Sequence, residues 1–224
     1  MMSLMSAIDI SSNSYSKFLK EIPHDPPRVL HCRGDSSLLL SHCLAIVGTR
    51  AMTNYGKDLI RSFIPELAKH FTIVSGLALG VDAAVHEATL ASGGRTIAVL
   101  PAGVEDKNVY PKRHLPLAQE ILNKGGLLIS EHQNKYPIER QDFPIRNRIV
   151  SGISLGTFII EADVRSGSLV TARLALEQNR DVFAAPGNVF SDVARGVNHL
   201  IKNGAKLVSS PQDIIEEYEH ILKA

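Results

Sequence analysis

Short apolar runs recur along the chain, separated by segments with helical periodicity. The runs are rich in Ile, Val and Leu and lack the strict alternation of a strand with one exposed face. They begin at Cys43, Thr72, Thr96, Leu127, Thr157 and Asp181. Continuous apolar runs are typical of strands buried on both faces, as in a parallel sheet covered by helices. Their alternation with helices predicts an α/β fold built on a doubly wound, mostly parallel sheet flanked by helices.

The segments between the apolar runs carry the signals of helices. From Tyr55 to His70, apolar residues recur at three- and four-residue spacing, and a lysine and a histidine close the last turn, where cations favour the helix dipole. Pro65 interrupts this pattern and predicts a kink or a break. Two further helices are expected to end at the glycine pairs 93–94 and 125–126, which suit a C-cap.

The first forty residues differ in composition from the rest of the chain. The segment from Ile22 to Asp35 is rich in proline and in turn-forming residues. We therefore expect residues 1–40 to form an N-terminal extension or small strand packed on one core domain, residues 41–224. Near the other end, Pro211 and Asp213 predict the start of a closing helix.

Composition narrows the class of protein without identifying a function. The 224 residues, 44% of them hydrophobic and 21% charged, are typical of a compact globular enzyme or binding protein. No apolar run approaches the roughly eighteen residues of a membrane span, and no cationic segment precedes an apolar one at the N-terminus. Cys32 and Cys43 show no metal-ligand spacing and fit reduced thiols. We expect a cytoplasmic protein without a membrane segment, a metal or a cofactor.

Glycine and hydroxyl residues follow four of the predicted strands. Ligands of an open parallel sheet bind beyond the carboxyl ends of the strands, so these loops are candidate binding elements. The loops contain Gly48-Thr49-Arg50, Ser75-Gly76, Pro101-Ala102-Gly103 and Ser166-Gly167-Ser168. Glycine lets a ligand approach the backbone, and the free N–H groups of a following helix donate to anions. Turn geometry or helix capping explains any single loop, but their recurrence on one edge favours an anionic ligand.

The densest cationic stretch lies between two of the predicted strands. It contains Arg140, Phe143, Arg146 and Arg148. Arginine forks bind phosphates bidentately, and an exposed aromatic ring stacks on an unpaired base, so the stretch suits single-stranded nucleic acid. Alternatively, Arg146 or Arg148 pairs internally with Glu161 or Asp163, and Phe143 belongs to the core. Because the net charge is only +1, a phosphate-binding surface must be a local cluster.

Several enzymatic fingerprints are absent or out of context. No GxGxxG follows a strand and no GxxxxGK[ST] occurs, which argues against dinucleotide and P-loop sites. Residues 152–156 match GxSxG, but a predicted helix precedes them and a strand follows, the reverse of a nucleophile elbow, so Ser154 is expected to be a loop residue. His86 and Glu87 begin an HExxH-like string in which Leu90 replaces the second histidine.

Six sequence blocks follow one another along the chain. They are GTR at 48–50, SGLALGVDAAVHEATLASGGRTIAVLPAGV from Ser75, YP at 110–111, LLISE at 127–131, FPIRNRIVSGIS from Phe143 and EADVRSGSLVTARLALEQNRDVFAAPG from Glu161. Together they resemble the DNA-processing protein A family, DprA or Smf. The resemblance implies an extended Rossmann-like domain that binds single-stranded DNA, protects incoming DNA, forms a homodimer and helps to load the RecA recombinase in natural transformation, without catalysis.

The resemblance also implies positions for DNA contacts. The family's DNA-contacting arginine of the GTR turn falls on Arg50, its basic and aromatic residues upstream of RNR fall on Arg140 and Phe143, and its cationic position in the GG[KR]T block falls on Arg95. The SGS block falls on residues 166–168. With the loop residues, the expected DNA-binding set is Gly48, Thr49, Arg50, Ser75, Gly76, Arg95, Arg140, Phe143, Arg146, Arg148, Ser166, Gly167 and Ser168.

An enzyme is the alternative from a different class. Nucleotide phosphoribohydrolases of the lysine-decarboxylase-like (LOG) family also combine a Rossmann-like core with Gly-rich phosphate turns. In that interpretation Glu161 or Asp163 is the catalytic acid and the SGS turn holds the phosphate. The PGGxGTxxE motif of that family is absent from this sequence, which favours the DNA-binding interpretation.

Overall fold

One mixed β-sheet organises the part of the chain that the structure describes. The computed structural model describes residues 5–134 and 137–223. The strands are β1 (Met5–Asp9), β2 (Val29–Gly34), β3 (Cys43–Val47), β4 (Thr72–Ser75), β5 (Thr96–Val99), β6 (Leu127–Ser130), β7 (Gly156–Ile159), β8 (Asp181–Ala184) and β9 (Lys206–Leu207). The α-helices are α1 (Lys17–Lys20), α2 (Asn54–His70), α3 (Val81–Ala91), α4 (Leu115–Asn123), α5 (Asp142–Gly152), α6 (Gly167–Glu177), α7 (Asp192–Lys202), α8 (Gln212–Ile215) and α9 (Glu219–Leu222).

The sheet order confirms a doubly wound, mostly parallel α/β architecture. The strands follow the order β1-β2-β6-β5-β4-β3-β7-β8-β9. Strands β3 to β9 are parallel to their neighbours among themselves, whereas β2 pairs antiparallel with β1 and β6. All six strands predicted from apolar runs are present. The chain builds outward from β3 in one direction through β6, then returns to β7 and builds in the other direction.

The expected N-terminal extension continues this sheet with two strands. Its first four residues lie outside the described part of the chain. In β2, His31 lies opposite Ser130 of β6, while Leu30 and Cys32 are buried in the core. Strands β1 and β2 therefore form an antiparallel edge beside the parallel strands.

The central strands bury both of their faces. Leu44 and Ile46 of β3 pack in a cluster with Ile60 and Phe63 of α2. The alternate residues of the same strand, Ala45 and Val47, pack in a cluster with residues of α1, α5, α6 and α7. Successive side chains of a strand point to opposite faces, so a strand between two helical layers needs apolar residues at every position. This arrangement explains the continuous apolar runs.

Helix α2 continues through Pro65, so the predicted break is wrong. Pro65 has no N–H group, so it cannot donate the helical hydrogen bond to the carbonyl of Arg61. Both residues are exposed. The buried face is anchored on either side of the proline by Ile60, Ile64 and Leu67. Water can solvate the carbonyl of Arg61 on the outer face, and packing of the inner face stabilises the helix, so the missing hydrogen bond does not end it.

Candidate nucleic-acid interface

A cleft opens at the carboxyl edge of the sheet, where the strand order reverses. Strand β3 lies between β4 and β7, and the helices that follow β3 and β7 pack on opposite faces of the sheet. Such a switch point is the usual position of a ligand site in open α/β sheets. The cleft has a volume of about 1310 Å³. The expected residues that line it are Gly48, Thr49, Arg50, Gly76, Arg140, Phe143, Arg146, Ser166, Gly167 and Ser168. The loops after β3, β4 and β7 thus meet around one opening.

The GTR turn is fixed by backbone contacts that leave Arg50 exposed. Thr49 N donates to the carbonyl of Glu161 at 2.7 Å, and Val81 N donates to the carbonyl of Thr49 at 3.2 Å. A Cβ atom on Gly48 would lie 2.7 Å from Cγ2 of Val81, so only glycine fits at the start of the turn. The Arg50 side chain therefore projects from a rigid backbone.

Phe143 belongs neither to the core nor to open solvent. It is half-buried, with its ring centroid 5.4 Å from that of Tyr110 in an edge-on arrangement. The guanidinium carbon of Arg50 lies 5.8 Å from the Phe143 centroid, within the range of a cation–π contact. Both rings line the cleft. The sequence indicated Tyr110 only through the YP block and assigned it no role.

Arg146 is a buried structural arginine at the floor of the cleft. Its Nη1 donates to the carbonyl of Gly76 at 2.7 Å and also to the carbonyl of Val99. Space for this guanidinium exists because residue 76 has no side chain; a Cβ there would overlap both terminal nitrogens. Burial lowers the pKa of Arg146 to about 10, partly opposed by Asp82, so the group stays protonated at neutral pH.

Asp82 joins the two glycine turns from below. Its Oδ2 accepts hydrogen bonds from Gly76 N at 3.1 Å and Ala78 N at 3.4 Å. Burial raises the pKa of this carboxyl, while the charge of Arg146 and the donors from Ala78, Gly76 and Gly48 act in the opposite direction. The buried carboxylate and guanidinium therefore fix the positions of the turns that follow β3 and β4.

Arg148 lies two positions further on the same helix and serves a different purpose. Its Nη2 donates to both carboxylate oxygens of Glu131, at 2.7 and 2.8 Å, and its Nε donates to Asp25 at 3.2 Å. The side chain is 10% exposed and does not line the cleft. Arg148 is thus paired internally, as in the alternative interpretation, but with Glu131 and Asp25 instead of Glu161 or Asp163.

Two other expected residues also lie away from the cleft. Arg95 precedes β5 at the amino edge of the sheet, the opposite edge, where its Nη1 donates to the carbonyl of Lys124 at 2.5 Å. Ser75 is fully buried, and its Oγ donates to the carbonyl of Ile46 at 2.7 Å. Arg95 is separated from the cleft by the length of the strands, and Ser75 stabilises the neighbouring strand.

The acids of the LOG interpretation are engaged in local structure. Glu161 is buried and accepts hydrogen bonds from Thr53 N at 2.9 Å and from Thr53 Oγ1 at 2.5 Å, which ties the end of β7 to the start of α2. Asp163 lines the cleft, and its Oδ1 accepts from Val164 N at 2.7 Å. Glu161 therefore acts as a structural bridge, while Asp163 caps its own turn.

The SGS turn begins helix α6 at the wall of the cleft. Ser166 is the N-cap, and its Oγ accepts from Ser168 N at 3.3 Å. Gly167 is exposed with open space on its Cβ side, so its glycine is not required for packing. The positive end of the helix dipole faces the opening, as an anion site requires. Arg165, which the sequence blocks contained without an assigned role, also lines the cleft and is exposed.

The described residues were also compared with the requirements of metal sites, membrane spans and reactive thiols. Residues 5–134 and 137–223 hold no group of three His, Cys, Asp or Glu side chains placed to bind a metal ion. No helix within those ranges has the length and apolar character to cross a bilayer. Cys32 and Cys43 are free and buried, and burial raises the pKa of each thiol to about 12.

Ser154 follows α5 and donates to Val150 O at 2.9 Å, which confirms it as a loop residue outside a nucleophile elbow.

Comparisons with known proteins place this geometry in a family context. A family model described as DNA recombination-mediator protein A matches residues 6–219. The DNA processing protein DprA of Bacillus subtilis is 43% identical over 215 residues, which cover 95% of this chain and 71% of that protein. An X-ray structure of DNA processing protein A from Streptococcus pneumoniae has a TM-score of 0.89 and 39% identity, over 96% of this chain and 75% of the other.

A second solved structure carries functional information. It is DNA processing protein A from Helicobacter pylori, described by its single-stranded DNA binding mode. It has a TM-score of 0.82 and 31% identity to this chain, and the match covers 98% of this chain and 97% of the other. The sheet, the loops at its carboxyl edge and the cleft between them thus occur in a chain whose relatives are DNA processing proteins.

Proposed function

The chain belongs to the DNA recombination-mediator protein A family, and from this premise we propose that its carboxyl-edge cleft binds single-stranded DNA. One observation carries the proposal: the exposed guanidinium of Arg50 lies beside the half-buried ring of Phe143, in a cleft that the N-terminus of α6 also faces. Single-stranded DNA presents a backbone of phosphates and unpaired bases. The opening suits it, because it combines a hydrogen-bond donor for phosphates, an aromatic surface and a helix N-terminus.

The charges of the cleft support an anionic ligand. The exposed arginines are Arg50, Arg140 and Arg165. Of the acids that line the cleft, Asp82 is buried beside Arg146, and Asp163 accepts from the adjacent backbone. Glu139 is exposed and accepts a hydrogen bond from the side-chain amide of Gln141 at 2.7 Å, so one exposed acid faces three exposed arginines. The exposed side of the cleft therefore carries more positive than negative groups, although the whole chain is nearly neutral.

The wider role that we propose follows the family. Acting in the cytoplasm as a homodimer, the protein protects incoming single-stranded DNA and helps to load the RecA recombinase during natural transformation. It binds without catalysis and without a metal or cofactor. The engagement of Glu161 with Thr53 supports a binding function, because the acid that the LOG interpretation requires serves to link two elements.

We expect Arg50→Ala to lower the affinity for single-stranded DNA by about 1 to 3 kcal/mol, the range of hydrogen bonds to charged groups. The midpoint of thermal unfolding should stay unchanged, because the side chain is exposed. Fluorescence anisotropy with single- and double-stranded oligonucleotides of graded length measures the affinity. Arg61→Ala is the matched control, since Arg61 is exposed on α2 and makes only a surface ion pair with Asp58.

The proposal fails if Arg50→Ala binds the single strand like the wild type. Release of free base from AMP or a similar nucleotide would instead favour the phosphoribohydrolase. The wider role has its own measurements: light scattering that finds a monomer at micromolar concentration contradicts the homodimer, and RecA filament assembly that the protein does not accelerate contradicts recombinase loading.

A further inference from the structure

The loop after β8 presents an aromatic ring to solvent at the same edge as the cleft. Phe190 is 92% exposed and its neighbour Val189 is 72% exposed. Single exposed apolar residues are ordinary in proteins. These two are adjacent, however, and Ala185 N donates to the carbonyl of Ile159 at 3.1 Å, which aligns the start of this loop with the end of β7. The loop therefore extends the edge on which the cleft opens.

A second, smaller cavity lies between this loop and the start of α2. Its volume is about 350 Å³, and its lining includes Thr53, Tyr55, Pro186, Asn188 and Ser191. Glu161, which lines this cavity, accepts from Thr49 of the cleft through its carbonyl and from Thr53 through its carboxylate. The two cavities are therefore neighbours along one edge.

The backbone of the loop is held from two sides. Gly187 exchanges hydrogen bonds with the amide of Asn198, at 3.2 Å through its N–H and 2.9 Å through its carbonyl. The hydroxyl of Tyr55 donates to the carbonyl of Pro186 at 2.5 Å, and Phe190 N donates to Oδ1 of Asn188 at 2.9 Å. The exposed ring thus stands on an ordered backbone, which lowers the entropic cost of binding a ligand.

We propose that Phe190 and Tyr55 form a second stacking position for the single strand that occupies the cleft. This inference rests on the proposed function and extends the path of the DNA across the turn at residues 48–53 to the loop after β8. Aromatic faces accept any base. The amide of Asn188 and the hydroxyl of Ser191 offer hydrogen bonds to the same nucleotide.

Distance and charge are compatible with a continuous path. Neighbouring parallel strands lie about 4.8 Å apart, so the ends of β3 and β8, two strands apart, are separated by roughly 10 Å. A few nucleotides span that distance. Arg165, an exposed cation of the cleft, belongs to the loop after β7, the strand that lies between β3 and β8. Nearby, Asp192 is paired with Arg195 at 2.9 Å. Glu161 also lines the smaller cavity, but it is buried and both of its carboxylate oxygens accept hydrogen bonds from Thr53.

The experiment compares oligothymidylates of about three and about twenty nucleotides, the first too short to occupy the cleft and the second position together. We expect Phe190→Ala to bind the short strand like the wild type and to bind the long strand about fivefold or more weakly, the loss of one stacked base. Leu40→Ala is the matched control, because Leu40 is also an exposed apolar residue, 59% exposed, but lies outside both cavities. Strands carrying 5-iododeoxyuridine should crosslink to Phe190 or Tyr55.

The outcomes separate this inference from the proposed function. If Arg50→Ala weakens both strands while Phe190→Ala weakens neither, the second position is overturned and the cleft stands. If Arg50→Ala weakens neither, the proposed function fails. A Phe190→Ala variant that weakens both strands equally also overturns a separate second position. A change in its oligomeric state by light scattering would assign the ring to contact with a second copy of the chain.

Discussion

Three arginines within nine positions have three different environments. Arg140 is exposed at the cleft, Arg146 is buried against backbone carbonyls, and Arg148 forks onto Glu131. A guanidinium suits all three because it presents five donors in one plane and keeps its charge when buried. Residues 146 and 148 lie about 200° apart around a helix, so they face different neighbours. Residue type alone therefore could not distinguish a DNA contact from a structural one.

His86 is a second buried group whose protonation the structure defines. Its Nδ1 lies 2.7 Å from Oγ1 of Thr96, and that hydroxyl donates to the carbonyl of Ile73 at 2.7 Å. A hydroxyl has one hydrogen, so the imidazole must donate from Nδ1 and leave Nε2 unprotonated. Nε2 has no partner among the described residues. Burial, together with Arg146 and His114, lowers the pKa of His86 to about 3.

This lowered pKa predicts a loss of stability in mild acid. The unfolded chain takes up a proton near the ordinary pKa of 6.5, whereas the folded chain does so only near pH 3. The contribution is therefore complete above pH 6.5 and falls by up to about 1.4 kcal/mol per pH unit below it, or about 2 kcal/mol by pH 5. Urea unfolding of the wild type and His86→Leu between pH 5 and 7.5 measures it.

The readout is the slope and not the absolute stability. His86→Leu loses the bond to Thr96 and is expected to be less stable at every pH. Its free energy of unfolding should nevertheless depend less on pH in this range. Parallel curves for the two proteins would show that His86 does not carry the acid sensitivity.

At the scale of elements, helix α6 packs on the sheet with one face and presents its first turn to the cleft, where we propose that it binds an anion. Ala172 and Ala175 are buried against the sheet, whereas Leu176 is exposed. The first turn, capped by Ser166, faces the cleft. The length of the helix therefore serves packing, and only its first residues can contribute to the proposed anion site.

Charge at the N-cap separates these two roles. Asp and Asn cap helices equally well, and the helix dipole favours the charged residue by about 0.3 to 1 kcal/mol. We expect Ser166→Asp to be at least as stable as Ser166→Asn in thermal unfolding. The aspartate should nevertheless weaken binding of single-stranded DNA, because it places a negative charge where a phosphate is expected, while the asparagine binds close to the wild type.

Fluorescence anisotropy at low salt compares the two variants. The asparagine variant controls for size and capping, so any difference in affinity reports the charge. Equal affinities for Ser166→Asp and Ser166→Asn would place the phosphates away from the start of α6.

At the scale of the whole molecule, the nearly balanced charge requires the proposed attraction to DNA to be local. The net charge of +1 gives no long-range attraction to DNA, and at 0.1 M salt the Debye length is about 10 Å. The fold compensates by bringing Arg50, Arg140 and Arg165 from three segments of the chain to one cleft. In the proposed function, a few cations gathered at the carboxyl edge of the sheet take the place of an extended basic surface.

The affinity for single-stranded DNA should therefore depend only modestly on salt, with a slope that reflects the number of phosphate contacts. Each phosphate contact to a single strand contributes about −0.7 to the slope of log K against log salt. Three exposed arginines predict a slope of about −2 per chain, and Arg50→Ala should reduce its magnitude by about 0.7. Affinity titrations between about 50 and 200 mM salt measure both slopes. An unchanged slope in the variant would contradict a phosphate contact by Arg50.

The amino-acid sequence by itself determined the central strands and the edge on which the site lies. Strands buried on both faces require continuous apolar runs. Such a run can be recognised in the sequence without knowing which strands and helices pack against it. Alternation of strands with helices makes the strands parallel, so the loops that follow them must share one edge. Arg50, Arg140, Phe143 and the turn at residues 166–168 could therefore be expected near one another, and the structure brings them to one cleft.

Only the tertiary structure decided the order of the strands and the fate of the individual side chains. The reversal between β3 and β7 selected which loops adjoin at that edge, and the cleft that they form includes Tyr110. Strand β2 was not apparent because polar residues interrupt its apolar positions, and its pairing with β6 is a contact between distant parts of the chain. Burial of Arg146 and Arg148 also depends on partners far away in sequence, which local periodicity does not encode.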